Sequence, residues 1–170
     1  ENFINKFNTD LANTLGNLVN RSVAMTNKYF EGKVTFCEGN EQCDKELIEE
    51  ANKTIEKYKN LMDIYHNAEA VDTIMNLAKR CNKYIDETMP WALAKDEEKK
   101  ARLGTVLYNL LEGIRFIAVL LKPFMPETSD KILEQIGTDI NTLDSLSSFG
   151  AIASGTKVGS ATPLFSRLDA

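Results

Sequence analysis

The stretch Val106-Leu-Tyr-Asn-Leu-Leu-Glu-Gly-Ile-Arg-Phe-Ile-Ala-Val-Leu-Leu121 decides the fold. It is apolar on most sides apart from Asn109, Glu112 and Arg115. A surface helix carries one apolar stripe, whereas a helix apolar nearly all round must be covered on every side. This segment is therefore expected to be the central helix of an all-α bundle, running from about Asp96 to Leu121. Its opening, Lys95 to Lys100 with Arg102, is a run of mixed charge that reads as a wet helix start. Lys99 and Arg102 are weak candidates for phosphate contact.

Outward from this helix the pattern stays helical. Downstream, Pro123 and Pro126 bracket a turn, and Pro126 suits the first position of a further helix. That helix is expected to reach Ile136 and stop at Gly137. Upstream, Pro90 ends a helix running from about Ala68 to Thr88, because the residue before a proline disfavours helical angles. Its inward positions are Val71, Ile74, Leu77, Ala78, Cys81 and Ile85. Before it, Leu47, Ile48, Ile55, Tyr58, Met62 and Tyr65 mark a helix over about Cys43 to Asn67. The opening segment repeats Ile4, Phe7, Leu11, Leu15 and Leu18 at helical spacing. It predicts a helix from about Asn2 to Phe30, ended near Gly32, with a loop to Asn40. The expected architecture is a bundle of about five helices over residues 1–144. Residues 145–170 read as a Ser/Gly-rich linker and a tail that packs on the bundle or leaves it. No strand alternation and no internal repeat are visible.

The 170 residues suffice for one core without staples. No apolar run is read here as a membrane span. The start, Glu1-Asn2-Phe3, lacks the regions of a signal peptide and, having no Met, suggests a piece of a longer chain. Three cysteines, an odd and sparse count, fit a reducing cytoplasm better than a disulfide framework. Cys37 and Cys43 lie far from His66 and form no CxxC pair, so no metal site is expected. The net charge of −5 argues against a general nucleic-acid coat, which needs Lys and Arg to neutralise phosphates. It leaves room for a local site that reads a few unpaired bases. No phosphate-binding glycine loop and no nucleophile–His–acid set occur, and adjacent acids such as Glu97-Glu98 read as solvated faces. No catalytic residue is expected.

Two features could carry function. Asn13, Asn17 and Arg21 stand at successive i, i+4 steps, which align two amides and a guanidinium on one helix face. Such groups can bond to base edges or stack; the alternative is a solvated face. Pro90-Trp91 places the only tryptophan at a helix break, with its backbone fixed by the proline. An aromatic so presented can take an unpaired base; the alternative is a plug at the bundle end.

Three segments add a family resemblance. Asp10-Leu-Ala-Asn-Thr-Leu-Gly-Asn-Leu-Val-Asn-Arg21 with Asn27-Lys-Tyr-Phe-Glu-Gly32 resembles the opening of the anticodon-binding domain of methionyl-tRNA synthetases. Tyr84-Ile-Asp-Glu-Thr-Met-Pro-Trp-Ala-Leu-Ala-Lys95 is similar to that family's anticodon-reading junction. Leu120-Leu-Lys-Pro-Phe-Met-Pro126 is similar to a helix pair shared among class I synthetases. The resemblance implies that Trp91, posed by Pro90, stacks on the first base of a CAU anticodon, and that Asn17 and Arg21 contact anticodon bases. It adds Asn82 and Asp86 as further candidates beside Asn13 of the row, with Asp86 repelling wrong bases or holding a neighbouring Arg. It implies a partner, methionine tRNA, and a catalytic domain elsewhere in the full ligase, with neither membrane nor DNA as a partner. The HIGH and KMSKS motifs of that catalytic domain are absent here. No cofactor is expected in this chain; ATP with magnesium belongs to the catalytic domain, where zinc is an open option. Ser166 stands where the family's tail commonly has proline. Two alternatives remain: a helical scaffold for protein partners, with Trp91 buried beside an exposed apolar patch, or the equivalent domain of another class I synthetase.

Overall fold

The computed structural model describes residue 9, residues 11–34 and residues 41–162. The described chain is all α. A wide π-type turn, Leu11–Leu15, leads into α1 (Gly16–Phe30), followed by α2 (Gln42–Asp63) and α3 (Asn67–Thr88). A short helix, α4 (Pro90–Leu93), and a 3-10 turn, Glu97–Lys99, then open α5 (Lys100–Leu121). The last α-helix is α6 (Pro126–Ile136), and a 3-10 turn, Leu143–Ser147, follows it.

α5 is the axle, packing against every other helix, and each of its residues from Leu103 to Leu121 is buried. Burial on all sides explains why its apolar character extends around the whole circumference. By length and composition the helix Glu97–Leu121 contains an apolar stretch that would also qualify to cross a membrane. In the fold that apolar stretch is wholly buried by neighbouring helices.

The polar groups of so buried a helix must find partners inside the protein, because an unsatisfied one costs roughly 1–3 kcal/mol. They do so in three places. Asn109 donates to the Tyr84 hydroxyl at 3.1 Å, and that hydroxyl donates to Asp44. Asp44, fully buried, also takes both arms of Arg102, at 2.6 and 3.0 Å, and accepts from the Glu41 backbone as the capping box of α2. Burial works against its charge, yet the Arg102 and Tyr84 hydrogen bonds prevail and hold the carboxyl below its ordinary range. Arg102 is thus bound within the fold, with Glu41 at 3.0 Å as a further partner, and its reading as a phosphate contact is corrected.

The third place is Glu112 and Arg115, both 0% exposed and ion-paired one turn apart. Glu112 accepts from the backbone amides of Gly150 and Ala151. Arg115 donates to the Ser145 hydroxyl at 2.7 Å and to the Ser145 and Ile140 carbonyls. The Ser/Gly-rich stretch after α6 therefore lies on the bundle up to Thr162. Leu146, Ile152 and Val158 join the core, and the Tyr108 hydroxyl donates to the Ile152 carbonyl at 2.7 Å. Further on, Lys157 pairs with Lys33 in an antiparallel bridge, and Val158 N donates to Gly32 O at 2.8 Å. Gly137, with φ of 77°, caps α6 so close beneath this strap that an added Cβ would lie 2.1 Å from the Lys157 carbonyl oxygen. The tail from Pro163 on, with Ser166, lies outside the described residues, as do Ile4 and Phe7 of the opening stripe.

Two expected boundaries shift. α2 ends at Asp63, and Tyr65, read as one of its apolar positions, takes a left-handed φ of 60° and stands 86% exposed. That residue reverses the chain so that α3 can run back along α2, and its side chain leaves the core. α1 ends at Phe30 as expected, with Glu31 and Gly32 both at positive φ, whereas α5, expected from about Asp96, begins at Lys100 after the 3-10 turn.

Removing one member of a buried pair strands the other. Glu112→Ala or Arg115→Ala should lower unfolding free energy by about 3–5 kcal/mol. Glu49→Ala, which breaks an exposed pair with Lys53, should cost at most about 1 kcal/mol. Urea titration followed by circular dichroism reads both.

Candidate nucleic-acid interface

α1 and its preceding turn lie beside α3, and between them runs an open groove of about 430 Å³. One wall carries Asn13, Thr14, Asn17 and Arg21; the other carries Lys79, Asn82, Lys83 and Asp86. Each wall is one helical face: i, i+4, i+8 on the first, and i, i+3, i+4, i+7 on the second. The structure thereby brings together five candidates from distant sequence: Asn13, Asn17, Arg21, Asn82 and Asp86.

Internal hydrogen bonds fix part of this surface. Asn17 Nδ2 donates to the Asn13 carbonyl at 2.8 Å, which orients its amide along the helix. Asn82 Nδ2 reaches across the groove to the Thr14 carbonyl at 3.3 Å. Asn82 thus ties the walls together at the π-type turn, where helical hydrogen bonds span i to i+5. Arg21, Lys79, Lys83 and Asp86 make no hydrogen bond or ion pair among the described residues, and all four are exposed. Three cations and one carboxylate give the groove a positive balance in a chain of net charge −5.

Pro90 and Trp91 are not among the groove-lining side chains. They lie just past the end of α3, whose last turn carries Asp86. Met89 closes α3 in the left-handed conformation, φ 49°, and its carbonyl accepts from Ala92 and Leu93 to start α4. Pro90 is the first residue of that helix and is buried, so the backbone beneath Trp91 is anchored. Trp91 itself is 40% exposed and Met89 beside it 46%. The scaffold alternative required this indole sealed in the core, which it is not.

Lys79 and Lys83 were missed by the sequence reading. Their signal was present, since both share the Asn82/Asp86 face of α3, but nothing local separates them from the other lysines of the chain. Arg80, between them, illustrates the difficulty: it pairs with Glu46 at 3.3 Å and Glu87 at 2.8 Å and is mostly covered. Of the cysteines, Cys81 is buried and its thiol is pushed up to about 12 by that burial. Cys43 is half-buried against Arg102. Among the described residues no group of three or more His, Cys, Asp or Glu is arranged to hold a metal.

Comparison with solved structures places the fold in a class. Mycobacterium tuberculosis methionyl-tRNA synthetase in its free state superposes with a TM-score of 0.89 at 31% identity, over 97% of this chain and 34% of that one. The same enzyme with methionyl-adenylate gives 0.88 at 32% identity, over 96% and 33%. The bundle is thus a fold found within an aminoacyl-tRNA synthetase. The methionine–tRNA ligase of Clostridium acetobutylicum is 52% identical over 169 residues, and that of Listeria monocytogenes 45% over 175. Either alignment takes in nearly all of this chain and 26% of the ligase, so the chain spans about a quarter of the curated relatives it matches. Residues 37–170 match the model of the anticodon binding domain of methionyl tRNA ligase, and the chain belongs to that family.

Because Asn17, Arg21, Lys79 and Lys83 are exposed and the two walls are held by the core, replacing Arg21, Lys79 or Lys83 with alanine should change stability by no more than about 0.5 kcal/mol. Thermal unfolding by circular dichroism checks this before any binding loss is assigned to the groove.

Proposed function

We propose that this chain reads the CAU anticodon of methionine tRNA as part of a methionine–tRNA ligase, which joins methionine to its tRNA at the expense of ATP. ATP with magnesium, and zinc if the ligase uses it, would be handled by a catalytic domain carried elsewhere in the ligase. The free thiols of Cys43 and Cys81 accord with work in the cytoplasm.

The observation that carries the reading is the groove. Two amide side chains and an unpaired guanidinium face Asn82 and Asp86 across an open channel, one helical turn before the junction that presents Trp91. Anticodon loops offer unstacked bases, and proteins read these by stacking and by hydrogen bonds to exposed edges. In this mechanism the first anticodon base stacks on the Trp91 indole, whose backbone Pro90 holds. Neighbouring bases turn toward α1. Asn17, with its Nδ2 committed to the Asn13 carbonyl, offers its Oδ1 as an acceptor, and Arg21 offers a planar donor fork. Asn13 and Asn82 shape the channel, and Asp86 disfavours bases that would turn an acceptor toward it.

The magnitudes suffice. Stacking contributes roughly 1–3 kcal/mol per base. A wrong base that leaves a buried polar group unpaired costs roughly 1–3 kcal/mol more. Two or three such contacts yield discrimination of several hundredfold, and none of it requires a basic protein.

Trp91→Ala should weaken binding of a CAU stem-loop at least tenfold, as about 1.4 kcal/mol of lost stacking requires, while the helical spectrum is unchanged. A fluorescence titration giving equal affinity for parent and variant would remove Trp91 from this role. Asn17→Ala and Arg21→Ala should instead narrow the preference for CAU over loops changed at one anticodon position. If both keep the parent's preference, the α1 row is only solvated surface.

A further inference from the structure

We propose that Lys79 and Lys83 bind the phosphate backbone of the RNA loop whose bases the α1 wall reads, supplying affinity without sequence preference. The inference rests on the base-reading function above and adds to it the other half of the interface.

The two lysines stand one turn apart on α3, exposed, on the groove wall that faces Asn17 and Arg21. Neither is paired with a carboxylate among the described residues. This separates them from the arginines that the fold consumes. Arg80 is held by Glu46 and Glu87, Arg102 by Asp44 and Glu41, and Arg115 by Glu112. The single carboxylate lining the groove, Asp86, leaves three cations in excess of it by two. Unpaired cations along a concave wall concentrate positive potential there even when the molecule as a whole is acidic. The side chains also suit the task. An ammonium on a flexible stem is a point charge that can follow a phosphate at varied angles, whereas base edges call for the planar groups of the opposite wall. A single strand laid in the channel with its bases toward α1 turns its phosphates toward α3. The division is the usual one in nucleic-acid recognition, with phosphate contacts positioning the strand and base contacts specifying it.

Affinity of the chain for a CAU stem-loop and for a loop with one altered anticodon base, measured across a series of KCl concentrations, tests the division. For Lys79→Ala and Lys83→Ala the slope of log affinity against log salt should shrink by about 0.7 each, and by about twice that in the double variant. Affinity for both loops should fall by the same factor, so the preference for CAU stays constant. Lys79→Arg/Lys83→Arg should restore the parent's slope. A double alanine variant with the parent's slope overturns the proposal, and so does one that loses preference for CAU at unchanged slope. The base-reading function fails separately, if the parent itself does not prefer CAU. The slopes can be read on either loop and still judge the lysines.

Discussion

Glu112 and Arg115 lie where water does not reach, and the rest of the structure is arranged around that fact. Taking two charges out of water is costly, and their mutual attraction compensates only when the remaining lone pairs and protons also find partners. α5 cannot supply them, because its own backbone is occupied. The stretch from Ile140 to Ala151 does, with two amides for the carboxylate and two carbonyls and a hydroxyl for the guanidinium. A Ser- and Gly-rich segment that composition alone marks as a loop thereby becomes part of the bundle. It then runs on to bridge the segment after α1 at Lys33 and to bind α6 at Gln135. The central helix can remain apolar elsewhere because its few polar groups are all answered.

The second cluster, around Asp44, does for the N-terminal half of α5 what the first does for the tail. Tyr84, Asn109 and Arg102 join α2, α3 and α5 in one hydrogen-bonded set. Tyr84 also lies one turn and a half before the Met89 junction, so α3 is pinned just upstream of the segment that carries Trp91. Rigid placement matters for reading bases, since a stacking platform or an amide displaced by an ångström loses much of its selectivity. The groove between α1 and α3 is built on helices rather than loops for the same reason, and Asn82 ties its walls directly.

An acidic domain with an RNA partner is less paradoxical once its charges are located. The arginines of α3 and α5 are spent internally, each against a named carboxylate. Arg21, Lys79 and Lys83 are among the cations left without an ion pair, and these three open onto one groove. Net charge describes solubility and long-range attraction, whereas recognition depends on which charges are left unpaired and where.

Much of this was legible in the sequence. Helical periodicity and the proline and glycine signals set α3, α5 and α6 to within a few residues, and α6 to its end residues at Pro126 and Ile136. The i, i+4 row of Asn13, Asn17 and Arg21 and the Pro90-Trp91 break were visible as patterns within one segment, and these are properties of local spacing. What the tertiary structure decided is which polar side chains are spent and which are left. Arg102 looked available and is bound to Asp44, 58 residues away. Lys79 and Lys83 looked like ordinary surface and line the groove. Tyr65 fitted the helical period and lies beyond the helix. A period records how residues repeat along one helix, but hydrogen-bond and ion-pair partners come from other helices. Only the packed bundle determines those, and with them the surface that remains free to bind.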